Sequence, residues 1–166
     1  MVNPAYAQRM ARYNRWQNEN LYGTADGLSD SERREDRGAF FKSIHGTLSH
    51  ILWGDGQWMS RFEKTELPSG GIEESIALFP DWEGLKAKRA AMDKRIIAWA
   101  DGLQDAWLAG DVSWFSGAIQ RDVTKPVWEV AVHFFNHQTH HRGQVHAMLT
   151  SAGVQPHDTD LFVMPE

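Results

Sequence analysis

Five of the chain's eight histidines fall in the stretch His133-Phe134-Phe135-Asn136-His137-Gln138-Thr139-His140-His141-Arg142-Gly143-Gln144-Val145-His146. No turn-forming residue interrupts it before Gly143, so it reads as helix. In a helix His137 and His141 stand at i and i+4, one turn apart on one face. That spacing lets two neutral imidazoles share a metal ion. On a wheel at about 100° per residue, Val130, Phe134, Gln144 and Met148 share this face, so folding would bury it. A buried imidazole loses water at its polar nitrogens and needs partners. Either a neighbouring helix supplies hydrogen bonds or a metal takes the lone pairs. His133 and His140 flank the face at about −40° and −60°. They are further ligand or supporting candidates, and His133 with His137 is the competing i, i+4 pair. His146 points away.

A third ligand must come from another element. His50 is the best placed, in the row Ser43, Thr47, His50, Gly54, Gln57 beside an apolar stripe. Gly54, one turn on, removes bulk next to it; glycine inside a helix costs up to about 1 kcal/mol relative to alanine, so clearance is a fitting reason. His45 is the other candidate, but it lies about 140° around the helix from His50, and the two cannot face one site. Three neutral imidazoles suit Zn²⁺ or Ni²⁺ with positions left open for water or substrate. Such a metal brings the pKa of a bound water near 7, and likewise activates a bound thiol. Position 138 is Gln, so the glutamate base of an HExxH site is missing and peptide hydrolysis is disfavoured. No residue stands out as the catalytic base.

Four helices are predicted to position these residues. Tyr6, Met10, Tyr13 and Trp16 set the period of one over residues 6–28. Ser29 followed by Glu32 is a capping-box pattern that predicts a short turn. A second long helix is expected over 38–63, with Phe40, Ile44, Leu48, Ile51, Leu52, Met59 and Phe62 inward. Pro68, Gly70 and Gly71 then force a loop. The third helix starts at Asp81, an N-cap residue, and carries Leu85, Met92, Ile96, Trp99 and Leu103. The fourth covers 126–152, with Pro126 at its first turn and Gly153 just past its end. A short hairpin around Ser116-Gly117 is expected between the third and fourth. The tail ends in Leu161-Phe162-Val163-Met164, expected to pack back on the helices or on a partner. The fold class predicted is all-α, a four-helix bundle, in one domain over 1–166, as 166 residues suit.

The totals narrow the function further. The net charge is −5 and like charges do not cluster. A nucleic-acid binder would show a basic face, so none is expected. With no cysteine there is no disulfide, thiolate site or cysteine nucleophile. The first ten residues lack the apolar core of a secretory signal, and no apolar run reaches the ~20 residues of a membrane span. A cytoplasmic protein, with no membrane partner, is the expectation.

Three stretches resemble the DinB family, part of the DinB/YfiT-like metalloenzyme superfamily. Leu48-Ser49-His50-Ile51-Leu52-Trp53-Gly54-Asp55-Gly56-Gln57-Trp58 is similar to the family's second-helix motif. His137-Gln138-Thr139-His140-His141-Arg142-Gly143-Gln144 is similar to its HxxxHRGQ motif, and Tyr13 to Leu21 resembles its first helix. The resemblance implies a bundle with crossover connections, a divalent metal on His50, His137 and His141, and a homodimer. Superfamily relatives include metal-dependent transferases for low-molecular-weight thiols and a maleylpyruvate isomerase. By that analogy the leading reading is a metal-dependent S-transferase acting on a small molecule, its nucleophile a low-molecular-weight thiol. A metal-dependent hydrolase is the second reading; a non-catalytic metal-binding stress-response protein is the third. Trp53, Trp58 and Trp128 are expected as pocket walls. Asp55 and Asn136 are expected to orient imidazoles, Gln144 to bond a metal-bound ligand or a helix neighbour, and Arg142 to clamp an acidic substrate group.

Overall fold

A computed structural model of the chain describes residues 2–117 and 119–165. Helices dominate: α1 (Pro4–Ala25), α2 (Asp30–Arg34), α3 (Ile44–Glu63), α4 (Trp82–Asp101), α5 (Asp105–Leu108) and α6 (Val127–Ser151). A two-stranded antiparallel sheet, β1 (Asp111–Ser116) and β2 (Arg121–Pro126), precedes α6. The expected hairpin is therefore present; Ala118 in its turn lies outside the described residues. A 3-10 turn over Glu74–Ala77, which nothing in the sequence pattern signals, follows the Pro68–Gly71 loop.

Capping explains where the helices begin. Asn3 caps α1, with Pro4 in the first turn. Ser29 and Glu32 form the capping box of α2 reciprocally, as expected. The Asp81 side chain accepts from Gly84 N–H at the start of α4. The second long helix starts at Ile44, not 38, because Ser43 is the residue that caps it, accepting from Gly46 N–H. Lys42 just before has φ 65°, a left-handed turn that no helix continues through. That turn also exchanges two rings: Phe41 is buried, whereas Phe40, expected inside, is 77% exposed. Gly153 closes α6 at φ 84°, the left-handed position glycine adopts freely.

Each long helix packs on two others: α1 on α4 and α6, α3 on α4 and α6. The apolar core between them has two halves. One gathers Leu21, Leu48, Leu52, Leu85 and Leu149. The other gathers Ala7, Met59, Ile96, Phe134 and Phe135. Burying the larger of these side chains, the leucines, Ile96, Met59 and the phenylalanines, stabilises by about 1.5–3 kcal/mol each. In the second half the rings also interlock: Phe62 stacks on Trp99 at 5.1 Å and meets Phe134 edge-on at 5.7 Å.

Between the halves lies a buried polar cluster joining all four long helices. Asp55 of α3 accepts from Arg89 Nη1 of α4 at 2.6 Å and from Gln138 Nε2 of α6 at 2.7 Å. Arg89 Nη2 lies 2.8 Å from Asp93 Oδ1, which also accepts from Asn18 Nδ2 of α1 at 2.9 Å. All five residues are buried. Burial alone would push the Arg89 pKa down; Asp93 and Asp55 outweigh it and hold the guanidinium charged. Asp55 thus binds the helices together and does not orient an imidazole, contrary to expectation, because both its oxygens are taken by Arg89 and Gln138.

The C-terminal segment is held mainly by polar groups. Tyr13 Oη donates to Thr159 O at 2.7 Å, Gln17 Nε2 to Asp158 O at 3.0 Å, and Asn20 Nδ2 to His157 O at 3.1 Å. Residues 13, 17 and 20 recur at helical spacing, so one face of α1 straps the tail. Of the apolar tail residues only Met164 is buried; Leu161, Phe162 and Val163 are exposed.

Removing one partner from a buried ion cluster leaves the others uncompensated, at a cost of about 3–5 kcal/mol. Asp55→Ala should therefore lose about that much in urea unfolding. Glu63→Gln, which breaks the partly exposed pair with Arg95, should cost under about 1 kcal/mol. Equal effects from the two substitutions would mean that the buried cluster is not the lock between the helices.

Candidate metal centre

His50 of α3 and His137 and His141 of α6 come together at the level of the polar cluster. One ligand atom from each lies within 4.8 Å of the others. The position of His137 follows from its neighbour: Gln138 is fixed inward on Asp55, and the next residue back along the helix projects about 100° away, toward α3. There it meets Gly54. A Cβ at 54 would stand 3.0 Å from His137 Cε1, so the glycine is the clearance that lets this ring enter.

Two of the rings have their tautomers fixed. Gln144 Oε1 lies 2.7 Å from His141 Nδ1. An amide oxygen only accepts, so Nδ1 carries the proton and Nε2 presents a lone pair. Ser75 Oγ lies 2.9 Å from His50 Nδ1 and donates its own proton to Ile72 O at 2.5 Å. The serine therefore accepts from His50, whose Nε2 is also bare. That atom stands 3.3 Å from His137 Nε2, nitrogen facing nitrogen. Phe41 stacks on the His50 ring at 3.7 Å and holds it in place.

The electrostatics favour neutral rings. Burial pushes His50 down to about 3, with the nearby His141 adding to the effect. Burial pushes His137 down to about 3 as well, with His141 and His50 adding. His141 is also lowered by burial, against the opposing bond to Gln144. Neutral imidazoles with aimed lone pairs are what a borderline divalent ion requires. Among the described residues His137 Nδ1 is buried without a hydrogen-bond partner, so their hydrogen bonds alone do not satisfy the cluster. The donor set fits a divalent metal and offers no anionic ligand.

His50 and His137 open on a cavity of about 750 Å³, whereas His141 sits behind them beside Phe41. Trp53 and Trp58 wall the cavity as expected, joined by Trp114 of β1, the loop residues Leu67 and Pro68, and Glu73 and Glu74 at the 3-10 turn. Trp53 is held by donation from its indole N–H to Ser69 O at 3.1 Å. Trp128 is not a wall residue. His133 lines the rim, edge-on to Trp58 at 5.2 Å and 6.0 Å from the His137 ring. His140 is exposed and meets only the outer edge of His141, at 4.9 Å. His45 is turned away and bonds Phe79 O at 2.7 Å.

Two expectations fail. Asn136 is exposed and forms no hydrogen bond with an imidazole, because its helix position faces solvent. Arg142 is buried on the opposite side of α6, over Tyr13 at 5.6 Å, and lines a separate cavity of about 310 Å³. It cannot clamp a ligand beside the histidines. The supporting residue without a sequence pattern is Ser75; it lies in the short 3-10 turn, and its only signal is a serine next to two glutamates.

The shifted histidines make stability depend on pH. An unfolded histidine titrates near 6.5, whereas His50 and His137 titrate near 3 in the folded chain. As pH falls below about 6.5 the unfolded chain binds protons first, so stability is full above that value and is lost progressively toward 3. Chelator-treated protein should show a falling urea midpoint between pH 7.5 and 5, and His137→Gln should make the fall shallower. A midpoint flat over that range in the wild type would mean that the rings are not shielded.

Comparison with known proteins agrees with the motifs. The family model described as the DinB family matches residues 1–166. The chain is also 25% identical over 170 aligned residues to Protein DinB of Bacillus subtilis (strain 168), an alignment covering 93% of this chain and 91% of that protein. With the family model matching its whole length, the chain belongs to the DinB family.

Proposed function

We propose that this chain is a divalent-metal-dependent enzyme, with zinc or nickel held by His50, His137 and His141, that transfers a low-molecular-weight thiol to a small electrophilic substrate. One observation carries the reading: three neutral imidazoles converge, two with their lone pairs aimed by Gln144 and Ser75, on the wall of a large aromatic cavity. A purely structural cluster would need neither the lone pairs nor the cavity. We also infer that α1, α3, α4 and α6 form the family's four-helix bundle with crossover connections, a reading supported by each packing on two of the others.

A metal bound there would supply Lewis acidity, making a thiolate or hydroxide available at neutral pH. The chain's own residues do the rest. Ser75 and Gln144 hold His50 and His141 as neutral donors. Trp53, Trp58 and Trp114 line the approach to the histidines and offer flat surfaces to an apolar substrate. The chain itself has no cysteine, so the sulfur must arrive as a cosubstrate. A thiol-transferase is favoured over a peptide hydrolase because Gln138, at the position of the missing glutamate, is committed to Asp55 and cannot serve as a base.

The first test is metal content by plasma mass spectrometry on tag-free protein. Wild type should carry about one zinc or nickel per chain, and His141→Ala should lose it with helicity intact. Loaded protein should then consume a thiol with an electrophile panel. No uptake of either metal on reconstitution would remove the enzyme reading, and uptake without thiol turnover would remove the transferase.

Gly54→Ala separates the site from the scaffold. Alanine raises helix propensity by up to about 1 kcal/mol, while its methyl crowds His137. Metal-free stability should hold or rise as metal affinity falls at least about tenfold, near 1.4 kcal/mol, by chelator competition. Unchanged affinity would show that the glycine is not the clearance the ring needs.

A further inference from the structure

Eleven residues beyond His50 on the same helix, Arg61 lines the far end of the cavity that the histidines open on. The positions His50, Gly54, Gln57 and Arg61 recur at helical spacing, so α3 forms one continuous wall. The guanidinium carbon lies over the Trp58 ring at 5.1 Å, and Nη1 donates to Gln57 O at 2.7 Å. These two contacts lay the side chain back along the wall, in the direction helical side chains lean. Its Nε is buried and has no hydrogen-bond partner among the described residues. Among the described residues no carboxylate pairs with it. Glu63, two residues on, is taken by Arg95 at 2.5 Å, and Glu74 accepts from Gly71 N–H at 2.6 Å. The cavity's acidic residues, Glu73 and Glu74, stand next to Ser75, at the His50 end. The cavity is thus polarised, with a fixed cation at one end, aromatic walls between, and lone pairs and carboxylates at the other.

An arginine stays protonated at neutral pH. Half-buried and unpaired, it retains donors for one more acceptor, and its flat fork matches a carboxylate or phosphate. We propose that Arg61 anchors the acidic end of an extended, largely apolar substrate or cosubstrate whose other end reaches His50 and His137. The proposal rests on the functional reading above for what happens at the histidine end; recognition at Arg61 is a property of the cavity itself. The ring-to-ring steps from Arg61 over Trp58 and His133 to His137 measure 5.1, 5.2 and 6.0 Å. They limit the separation to about 16 Å, which is also the rise of eleven helical residues. The ligand class is therefore an acid joined to its reactive atom by an aromatic or aliphatic segment no longer than that.

The test uses ω-phenylalkanoic acids of increasing chain length and their primary amides as probes, titrated by calorimetry. Wild type, Arg61→Met and Arg61→Lys are compared, each metal-free and zinc-loaded, with folding checked by circular dichroism. In metal-free wild type the acid should bind at least about tenfold more tightly than its amide, a difference near 1.4 kcal/mol. The preference should fall below about twofold in Arg61→Met and be partly retained in Arg61→Lys, which keeps the charge but loses the fork. Equal binding of acid and amide by wild type, no binding of either, or a preference unchanged in Arg61→Met overturns the proposal. A preference that appears only with zinc and ignores Arg61 also overturns it, placing the acid at the metal and leaving the metal reading intact. Conversely, an Arg61-dependent preference in protein that takes up no metal upholds the anion site while the enzyme reading fails.

Discussion

The buried cluster of Asn18, Asp55, Arg89, Asp93 and Gln138 is the constraint on which the rest of the structure depends. Apolar packing alone sets helices side by side but tolerates rotation and sliding, since one buried leucine substitutes readily for another. Directed, charge-assisted hydrogen bonds do not tolerate it. A quarter-turn of α6 would withdraw Gln138 from Asp55 and leave a buried carboxylate short of a donor, a loss larger than the packing could offset. Because the cluster takes one residue or more from each long helix, it fixes all four rotations together.

That constraint reaches the histidines through single covalent steps. Asp55 follows Gly54 and Gln138 follows His137. With the aspartate and the glutamine fixed inward, the glycine and the histidine are presented to one another on the adjacent face, and His141 follows one turn on. Desolvation keeps the rings neutral, and the bonds to Ser75 and Gln144 select the tautomer. These contributions are separable. The lock sets where the rings are, burial sets their charge, and two outer hydrogen bonds set which nitrogen is bare.

How much of this was legible in sequence follows from the range of each interaction. The His137/His141 pair and the caps at Ser29 and Asp81 are local patterns, encoded within four residues, and all are present in the structure. The clearance at Gly54 is present too, but it admits His137 of α6 and not, as expected, His50 on its own helix, a contact no local pattern states. The start of α3 was misplaced because a single left-handed residue, Lys42, has no side-chain signature. Asp55, Asn136 and Arg142 each stand within one residue of the motif's glycine or a candidate ligand, yet none reaches the histidines, because a helix separates adjacent residues by about 100°. Ser75 and Trp114 were missed for the opposite reason. Each reaches the site from an irregular turn or a short hairpin, and nothing within the local sequence states where such a segment folds back.

The same division has a functional consequence. The groups that would hold a metal, His50, His137 and His141, sit on two helices whose rotation is locked. The groups that shape what enters the cavity are divided: Arg61 and Trp58 are fixed on α3, while Trp114, Leu67 and Glu74 come from the hairpin, the loop and the 3-10 turn. Segments of that second kind change length and composition without disturbing a helical core. A scaffold built this way can keep one reactive centre while its outer wall is altered to admit different partners. The rigid wall then decides the feature every ligand must share. In this chain that wall runs from lone pairs to a guanidinium with no carboxylate partner among the described residues, so the feature proposed for its ligands is an acid within about 16 Å of the group that meets the histidines, and the loops would be left to choose among the acids that fit.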